Sequence, residues 1–283
     1  MTSSAILETN ELWFSYDGGE PVLKGISLRI QHGALVALIG QNGSGKTSLA
    51  KQFNGLLRPT RGQVLLDGEV ITSKSVSELA RRVGYVFQNP DHQIFSATVF
   101  DEIAFGPRNL GLTEVEVKTR VEETLHRFHL TPYAARPPAV LGFGLRRKVS
   151  LATVYAMQTQ VLILDEPTAG LDSKSIDELM AQLDELHRTA HTILLITHDM
   201  RLVAEYIPQC IVLHQGQVLA YDTTRVIFEQ VERLRQTHLA PPQITRLAQQ
   251  LYPYGLRNDI LTVPEFCQEY THIISQRQQA THE

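Results

Sequence analysis

Residues 40–47 read Gly40-Gln41-Asn42-Gly43-Ser44-Gly45-Lys46-Thr47, which matches the pattern GxxxxGK[ST] of a phosphate-binding loop. The apolar run before it, residues 34–39 (ALVALI), predicts a strand buried on both faces, and a helix is expected from Thr47 to Leu57. A chance match rarely has this strand-loop-helix context. The stretch therefore predicts an α/β fold with a nucleotide at the carboxyl end of the strand.

The chemistry of the loop explains why these residue types are needed. Glycines let backbone N–H groups turn toward phosphate oxygens, and the N-terminus of the following helix favours an anion. Lys46 would place a positive charge toward the β- and γ-phosphates of ATP, and the Thr47 hydroxyl can bind Mg²⁺. The predicted nucleotide-binding residues of the loop and helix are Gly40, Asn42, Gly43, Ser44, Gly45, Lys46, Thr47 and Ser48.

A second motif, residues 161–166 (VLILDE), is an apolar strand that ends in two carboxylates. Asp165 is predicted to hold Mg²⁺ through water, and Glu166 to orient or deprotonate the attacking water. Paired acids at a strand end can also form a solvated turn, but the phosphate-binding loop favours the functional interpretation. The two motifs together are typical of a nucleoside triphosphatase that uses ATP and Mg²⁺.

The residues that follow this strand indicate a narrower class of nucleoside triphosphatase. Residues 164–172 (LDEPTAGLD) resemble the LDEPTxGLD run of ABC ATPases. Three further positions fit the order and spacing of that family: His198 after the apolar run 192–196, Gln88 within 85–90 (YVFQNP), and Tyr16 near the N-terminus. Each is weak alone, because a single Gln, His or Tyr is usually structural, but around a phosphate-binding loop they reinforce each other. The resemblance covers residues 5 to about 225.

The resemblance implies a role for each matching position. Tyr16 would stack on adenine, His198 would contact the γ-phosphate, and Gln88 would sense Mg²⁺ and link the site to a membrane partner. Asp172 would act across a dimer interface, because family members bind two ATP molecules between two subunits arranged head to tail. The catalytic residues are then expected to be Glu166, His198, Gln88 and Lys46, and the metal-binding residues Thr47, Asp165 and Gln88.

The signature sequence of the family, LSGGQ, is altered in this chain. Its place reads Leu141-Gly142-Phe143-Gly144-Leu145. Gly142 removes a hydroxyl that would bond the γ-phosphate, and Phe143 puts a ring where glycine permits close backbone approach. Gly144 and the following helix N-terminus still offer N–H groups. We expect a heterodimer with a second ABC ATPase subunit; the alternatives are a homodimer that tolerates the change and a damaged protein.

The stretch after Gln88 indicates a particular importer type. Residues 88–99 (QNPDHQIFSATV), 101–107 (DEIAFGP) and 109–112 (NLGL) resemble the ATPases of energy-coupling-factor transporters and their cobalt- and nickel-importing relatives. The resemblance implies a transmembrane coupling protein and a substrate-capturing membrane subunit as partners, and import of a vitamin or a transition-metal ion. An exposed Ile94-Phe95 pair could form part of a docking groove for a partner helix.

Three other functions compete with this one. The first is an ATPase of another importer class, from which only the stretch after Gln88 separates this chain. The second is a soluble ABC ATPase acting in DNA repair or on ribosomes, which the lack of sustained heptads and the single phosphate-binding loop disfavour. The third is a non-hydrolysing regulatory subunit, which Glu166 and His198 disfavour.

Composition sets the remaining expectations. The 283 residues carry a formal net charge of −4 and a pI of about 6.3, so no nucleic-acid partner is expected. No apolar run reaches the roughly 18–20 residues of a membrane span, and the N-terminal stretch lacks a signal-peptide pattern. The expected location is the cytoplasmic face of the cell membrane, with the spans supplied by a partner. Cys210 and Cys267 have no metal-ligand spacing and are expected to be reduced.

The alternation of strands and helices predicts the architecture. We expect an α/β fold of the P-loop ABC ATPase type, with an N-terminal antiparallel β subdomain, a mainly parallel core sheet and a helical insert at about 90–155. The nucleotide-binding domain is predicted to cover residues 1–225. A small helical appendage is predicted over 226–283, where prolines interrupt helical patterns.

Overall fold

The computed structural model describes residues 5–280. Its strands are β1 (Ala5–Phe14), β2 (Leu23–Gln31), β3 (Leu35–Gly40), β4 (Arg61–Leu66), β5 (Glu69–Val70), β6 (Val83–Val86), β7 (Val161–Asp165), β8 (Thr192–Ile196), β9 (Gln209–His214) and β10 (Gln217–Thr223). Its helices are α1 (Lys46–Phe53), α2 (Val76–Ala80), α3 (Val99–Asn109), α4 (Glu114–Arg127), α5 (Phe143–Ala156), α6 (Ser173–Arg188), α7 (Met200–Tyr206), α8 (Thr224–Glu229), α9 (Val231–Arg235), α10 (Gln243–Leu251) and α11 (Val263–Ala280). The first four residues, part of the stretch in which no signal peptide is expected, and the end of the predicted appendage lie outside the described residues.

The chain divides into two compact units. One unit contains the residues up to Ala34 together with Thr47–Ile196, and the other contains Leu35–Lys46 together with the residues from Thr197 onward. The first unit carries an antiparallel sheet in the order β2-β1-β4-β5. Its inner faces are fully buried aliphatic side chains such as Leu12 and Ile26, which oppose each other in the register of β1 and β2. From Ile26 to Ile30 in β2, buried aliphatic residues alternate with exposed polar ones, as an antiparallel sheet with one solvated face requires.

The first unit also carries three parallel strands, β6, β7 and β8. Every residue of β7 is buried, as the continuous apolar run VLIL predicts for a strand covered on both faces. In the register, Val86 of β6 lies beside Leu164, and Asp165 lies beside Ile196 of β8. Because the strands are parallel, their carboxyl ends share one edge, and Gln88, Glu166 and the end of β8 all follow that edge.

Local sequence signals place the helices of the first unit. Thr113 caps α4 in a capping box with Glu116, whose carboxylate accepts the Thr113 N–H at 2.8 Å. Asp172 caps α6 by accepting the Ser175 N–H at 2.7 Å. Helix α1 is shorter than the predicted Thr47–Leu57, because Gly55 takes a left-handed φ of +74° and the turn before it ends the helix at Phe53.

In the second unit, β3 pairs in parallel with β9, and β9 pairs antiparallel with β10. Helices α8 to α11 follow, and Ala248, Leu256 and Ile260 form a small buried core among them. The predicted fold class, α/β with antiparallel and parallel sheets, is confirmed. The division into residues 1–225 and 226–283 stays a prediction. No helix in the described part of the chain has the length and apolarity needed to cross a bilayer.

An arginine ties the C-terminal helices of the second unit together. Arg225 donates to the Asp259 carbonyl oxygen at 2.6 Å and to the Glu265 carboxylate at 2.7 Å. Partial burial raises the pKa of Glu265, but hydrogen bonds from Arg225 and from the Leu261 N–H outweigh it and lower that pKa overall. The hydrogen bond from Arg257 chiefly lowers the pKa of Asp259. Both carboxylates are therefore stabilised in their charged form by folding.

Arg225→Met is expected to lower the free energy of unfolding by about 1 kcal/mol at pH 7, a value discounted because the pair is about one-third exposed. The pKa of Glu265 is lower when folded, so its contribution is complete above the unfolded pKa of about 4.3 and disappears as pH falls through the folded value. Urea unfolding at pH 7 and in steps below pH 4.5 measures both. The control is Arg235→Met, whose exposed pair with Glu232 should contribute little. An equal loss in both variants would contradict the assignment.

Candidate functional site

The phosphate-binding loop begins where β3 ends, in the second unit. A Cβ atom on Gly40 would lie 2.3 Å from the Leu213 carbonyl oxygen and 2.6 Å from Ser44 Oγ, so no other residue fits. Lys46 is buried and its ammonium donates to the carbonyl oxygens of Gly40 at 2.8 Å and Gln41 at 3.0 Å. Among the described residues, nothing satisfies the buried hydroxyl of Ser44. A phosphate group fits this loop, because it supplies a partner for the buried Ser44 hydroxyl.

In the first unit, the structure brings Thr47 and Asp165 together. Thr47 Oγ1 donates to Asp165 Oδ2 at 2.9 Å, and Tyr85 Oη donates to the same oxygen at 3.0 Å. Burial raises the pKa of Tyr85, and the Asp165 charge raises it further, so the phenol stays a hydrogen-bond donor. A hydroxyl beside a buried carboxylate is a set of hard oxygen ligands, and it fits Mg²⁺.

Glu166 follows directly and has an unusual backbone. Its φ is +48°, in the left-handed region that a residue with a Cβ adopts only at a cost of about 1–3 kcal/mol. Hydrogen bonds hold its backbone there: its N–H donates to the Ile196 carbonyl oxygen at 2.9 Å, and its own carbonyl oxygen accepts from Arg147 Nη2 at 2.5 Å and from the Ala169 N–H at 3.3 Å. Glu166 is therefore aimed by its backbone, at the end of a buried strand.

The segment after β6 carries Gln88, whose side chain is exposed. The residue before it, Phe87, is held by hydrogen bonds at both its N–H group and its carbonyl oxygen. Gln93 Oε1 accepts the Phe87 N–H at 3.2 Å, while Gln93 Nε2 donates to the Ser150 carbonyl oxygen at 2.8 Å. Arg147 Nη1 donates to the Phe87 carbonyl oxygen at 2.7 Å. Helix α5 thus fixes the start of the Gln88 segment, while the metal-sensing role of Gln88 stays a prediction.

The predicted adenine-stacking residue lies beside another predicted nucleotide-binding residue. Tyr16 is 48% exposed, and its hydroxyl lies 2.9 Å from Ser48 Oγ. The Phe14 ring packs edge-on against it, with ring centroids 4.7 Å apart. This contact fixes one side of the Tyr16 ring and leaves an aromatic surface open. The geometry suits stacking on a planar base.

The altered signature lies at the start of α5. Gly142 is the N-cap of that helix and provides no side-chain hydrogen bond. Phe143 is 42% exposed, and its ring packs on Gly170, where a Cβ atom would lie 2.5 Å from Phe143 Cε1. Gly170 also has a φ of +77°, so glycine is required there twice over. Gly144 sits 3.6 Å, measured from its ideal Cβ position, from the Gly170 carbonyl oxygen.

Two other predicted residues occupy helix starts. Hydrogen bonds from Ser175 lower the pKa of Asp172, which is exposed and caps α6. His198 is exposed in the second unit, just before Asp199, which caps α7 and accepts from the N–H groups of Arg201 and Leu202. The action of Asp172 across an interface and the phosphate contact of His198 stay predictions.

Sequence reasoning missed the side chains that hold these residues in place. Tyr85, Gln93 and Arg147 each contact the site or its backbone, and none carried a recognisable signal. Arg147 belongs to the run Arg146-Arg147-Lys148, which is typical of a solvated helix face. The one hint for Tyr85 was its position in β6, the strand that pairs in parallel with β7, which carries the acidic motif.

Comparison with known proteins defines the class. A family model described as ABC transporter matches residues 23–169. An ABC transporter ATP-binding protein of Caldanaerobacter subterraneus is 44% identical over 246 residues, which is 87% of this chain but only 43% of that protein. The energy-coupling factor transporter ATP-binding protein EcfA of Methanocaldococcus jannaschii is 43% identical over 244 residues, 86% of this chain and 88% of that protein.

Two solved structures agree with this result. The Clostridium perfringens protein described as cbiO1, part of the ABC transporter complex cbiONQ, has a TM-score of 0.73 and 37% identity, covering 86% of this chain and 98% of that one. A dimeric ATP-binding cassette in a post-hydrolysis state with ADP and Pi has a TM-score of 0.71 and 25% identity, covering 77% and 98%. The fold and site define an ATP-binding cassette. The chain belongs to the ABC transporter ATP-binding family and is an ATPase.

Tyr85→Phe is expected to raise the Mg²⁺ concentration needed for half-maximal ATP turnover by about 10-fold, because partners of a metal ligand commonly tune metal affinity by that factor. Titration of turnover with Mg²⁺ at saturating ATP, in the ATPase assembly recovered through a tag on this chain, measures the change. Tyr221→Phe is the control, since its hydroxyl bonds Gln209 in the other unit. An unchanged Mg²⁺ requirement in Tyr85→Phe would show that Asp165 is oriented without the phenol.

Proposed function

We propose that this chain hydrolyses ATP to energise an energy-coupling-factor-type importer at the cytoplasmic face of the cell membrane, moving a vitamin or a transition-metal ion. The observation that carries the proposal is the hydrogen bond from Thr47 to Asp165 at 2.9 Å, which joins the phosphate-binding helix to the acidic strand end. The importer type is supported by the similarity to EcfA and to the cbiO1 subunit. A membrane coupling protein and a substrate-capturing subunit are the proposed partners.

Each site residue has a part in hydrolysis. Lys46 and the loop N–H groups bind the β- and γ-phosphates, and the Tyr16 ring stacks on the base. Thr47 and Asp165 hold Mg²⁺, which neutralises charge on the phosphates when bound. Glu166 orients the attacking water and accepts its proton. His198 donates a hydrogen bond to the γ-phosphate, and Gln88 reports the state of the site to the membrane partner.

The altered signature supports a heterodimer. Phe143 already packs on Gly170 of its own chain, and Gly142 has no hydroxyl to offer a phosphate across the interface. Loss of one donor aimed at transition-state charge costs about 10²–10³ in rate. The site that this signature completes on a partner would therefore be weak. The site on this chain, with Glu166 and Lys46 intact, would be active beneath a complete partner signature.

ATP turnover per chain as a function of protein concentration tests this proposal. The purified chain alone is expected to stay near the Glu166→Gln blank at every concentration, while still binding ATP. Restoring the signature with Gly142→Ser, Phe143→Gly and Leu145→Gln together is expected to give turnover that rises with concentration, by about 10²-fold or more.

Opposite results separate two failures. If the unaltered chain shows turnover that rises with concentration and disappears in Glu166→Gln, it works as a homodimer and the heterodimer proposal is wrong. Glu166→Gln is also introduced into the chain with the restored signature. If that variant hydrolyses ATP as fast as the restored chain that keeps Glu166, the catalytic role of Glu166 is wrong. ATP affinity measured in parallel shows that each variant still folds around the nucleotide.

An exposed pair of aromatic rings in the stretch after Gln88 supports the proposal of a membrane partner. The rings of Phe95 and Phe105 meet edge to face, with centroids 4.7 Å apart, and are 66% and 45% exposed. The loop that presents Phe95 is held by Glu102, a buried carboxylate that accepts from the N–H groups of Phe95 at 3.0 Å and Ser96 at 2.6 Å. A buried carboxylate devoted to one loop fixes an exposed ring in a defined place, as a docking surface for an apolar helix requires.

Phe95→Asp is expected to reduce recovery of the membrane subunits with the tagged chain by about 10-fold or more, because it places a charge on the apolar contact. The measurement is co-purification from detergent-solubilised membranes, with ATP affinity of the soluble chain expected to stay unchanged. Val115→Asp is the matched control, since Val115 is 77% exposed on α4. Equal recovery with both variants would place the docking surface elsewhere.

A further inference from the structure

Arg147 is the bulkiest of the fully buried side chains among the described residues. Its guanidinium is directed at backbone carbonyl oxygens, those of Phe87 at 2.7 Å and Glu166 at 2.5 Å. Its Nε atom has no hydrogen-bond partner within the described part of the chain, and an unsatisfied buried donor costs about 1–3 kcal/mol. A buried cation with an unsatisfied donor is a poor device for stability alone. Its contacts therefore indicate what it does for the site.

Three segments of the site meet at this side chain. Arg147 stands one turn into α5, the helix whose first residue is Phe143 of the altered signature. One of its carbonyl partners immediately precedes Gln88, and the other belongs to Glu166. Ser150, one turn further along α5, holds the same Phe87 segment through Gln93, because its Oγ donates to Gln93 Oε1 at 2.6 Å. Helix α5 thus contacts the loop after β6 through both Arg147 and Ser150, and it contacts the end of β7 through Arg147.

The electrostatics agree with the geometry. Burial lowers the pKa of Arg147, while the Asp165 and Glu166 carboxylates act in the opposite direction. The guanidinium and these two carboxylates therefore attract each other at the end of β7. Glu166 must also remain in its left-handed conformation at φ +48°, and the hydrogen bond from Arg147 to its carbonyl oxygen is supplied by a side chain, beside the backbone bonds with Ile196 and Ala169.

We propose that Arg147 is a positioning residue for ATP hydrolysis, one that fixes the backbone of Glu166 and couples it to the signature helix and to the segment bearing Gln88. The proposal rests on the role proposed for Glu166. When α5 moves as the dimer closes or opens, the guanidinium carries that movement to the two carbonyl groups. Glu166 then reaches the orientation needed for hydrolysis only when α5 and the loop after β6 are correctly placed relative to the end of β7.

The experiment compares Arg147→Met and Arg147→Lys in the full-length chain, within the ATPase assembly recovered through a tag on this chain. Arg147→Met is expected to lower kcat by about 10²-fold with the KM for ATP and the dissociation constant for ATP within about twofold, because the loop that binds phosphate is untouched. Arg147→Lys keeps the charge and can reach one carbonyl, so it is expected to recover about tenfold of the loss. Arg127→Met, whose partner Glu185 is exposed, should leave kcat unchanged.

Amide hydrogen exchange of the same ATP-bound proteins supplies a readout independent of turnover. Faster exchange in residues 86–93 and 164–170 is expected for Arg147→Met and not for Arg127→Met. The proposal is overturned if Arg147→Met keeps its kcat, if kcat and ATP affinity fall together, or if exchange in both segments is unchanged. Glu166→Gln, measured alongside, separates the two levels: full activity in Glu166→Gln refutes the role of Glu166, whereas an inactive Glu166→Gln with an active Arg147→Met refutes Arg147 alone.

Discussion

The hydrogen bond between Thr47 Oγ1 and Asp165 Oδ2 joins the start of α1 to the carboxyl end of β7. It places a carboxylate that is 2% exposed where hydroxyl donors must satisfy it, and Tyr85 supplies the second donor. Asp165 can lie there only because β6 and β8 pair with β7 on both sides and exclude water from the strand. The position of the oxygens proposed to bind Mg²⁺ therefore depends on the parallel strands as much as on Thr47 at the start of α1.

The loops that leave this sheet are held by buried polar side chains. Once a strand ends, its backbone groups lose their ladder partners and need others. Glu102 accepts from the loop that presents Phe95, Gln93 and Arg147 bracket Phe87, and Arg147 also reaches Glu166. Helices α3 and α5 carry two of these three side chains, and the third is anchored on α5. The surface proposed for the membrane partner and the backbone of Glu166, proposed to be catalytic, are consequently held by side chains of these same two helices.

The contrast between predicted and missed residues has a physical cause. Thr47, Asp165 and Glu166 were predictable because the chemistry of phosphate and Mg²⁺ dictates both residue type and spacing along the chain. Arg147 and Glu102 were not, because a basic run and an acidic helix start are usually solvated, and only tertiary packing buries them. The strands of the fold were predictable from apolar runs, whereas the end of α1 depended on the conformation of a single turn.

The two ends of the altered signature have different consequences. Gly142 leaves the first N–H groups of α5 without a side-chain cap, so the helix start can still attract an anion. Phe143, by contrast, packs on Gly170 of its own chain. A Cβ atom on Gly170 would lie 2.5 Å from the ring, and the left-handed φ of that residue also favours glycine, so no side chain separates the ring from the Gly170 backbone. A ring fixed in this way blocks the close backbone approach that a glycine at position 143 would allow. In the proposed heterodimer, the site on this chain would receive its donors from the complete signature of a different second subunit, while the opposite site would lack the hydroxyl that Gly142 does not supply.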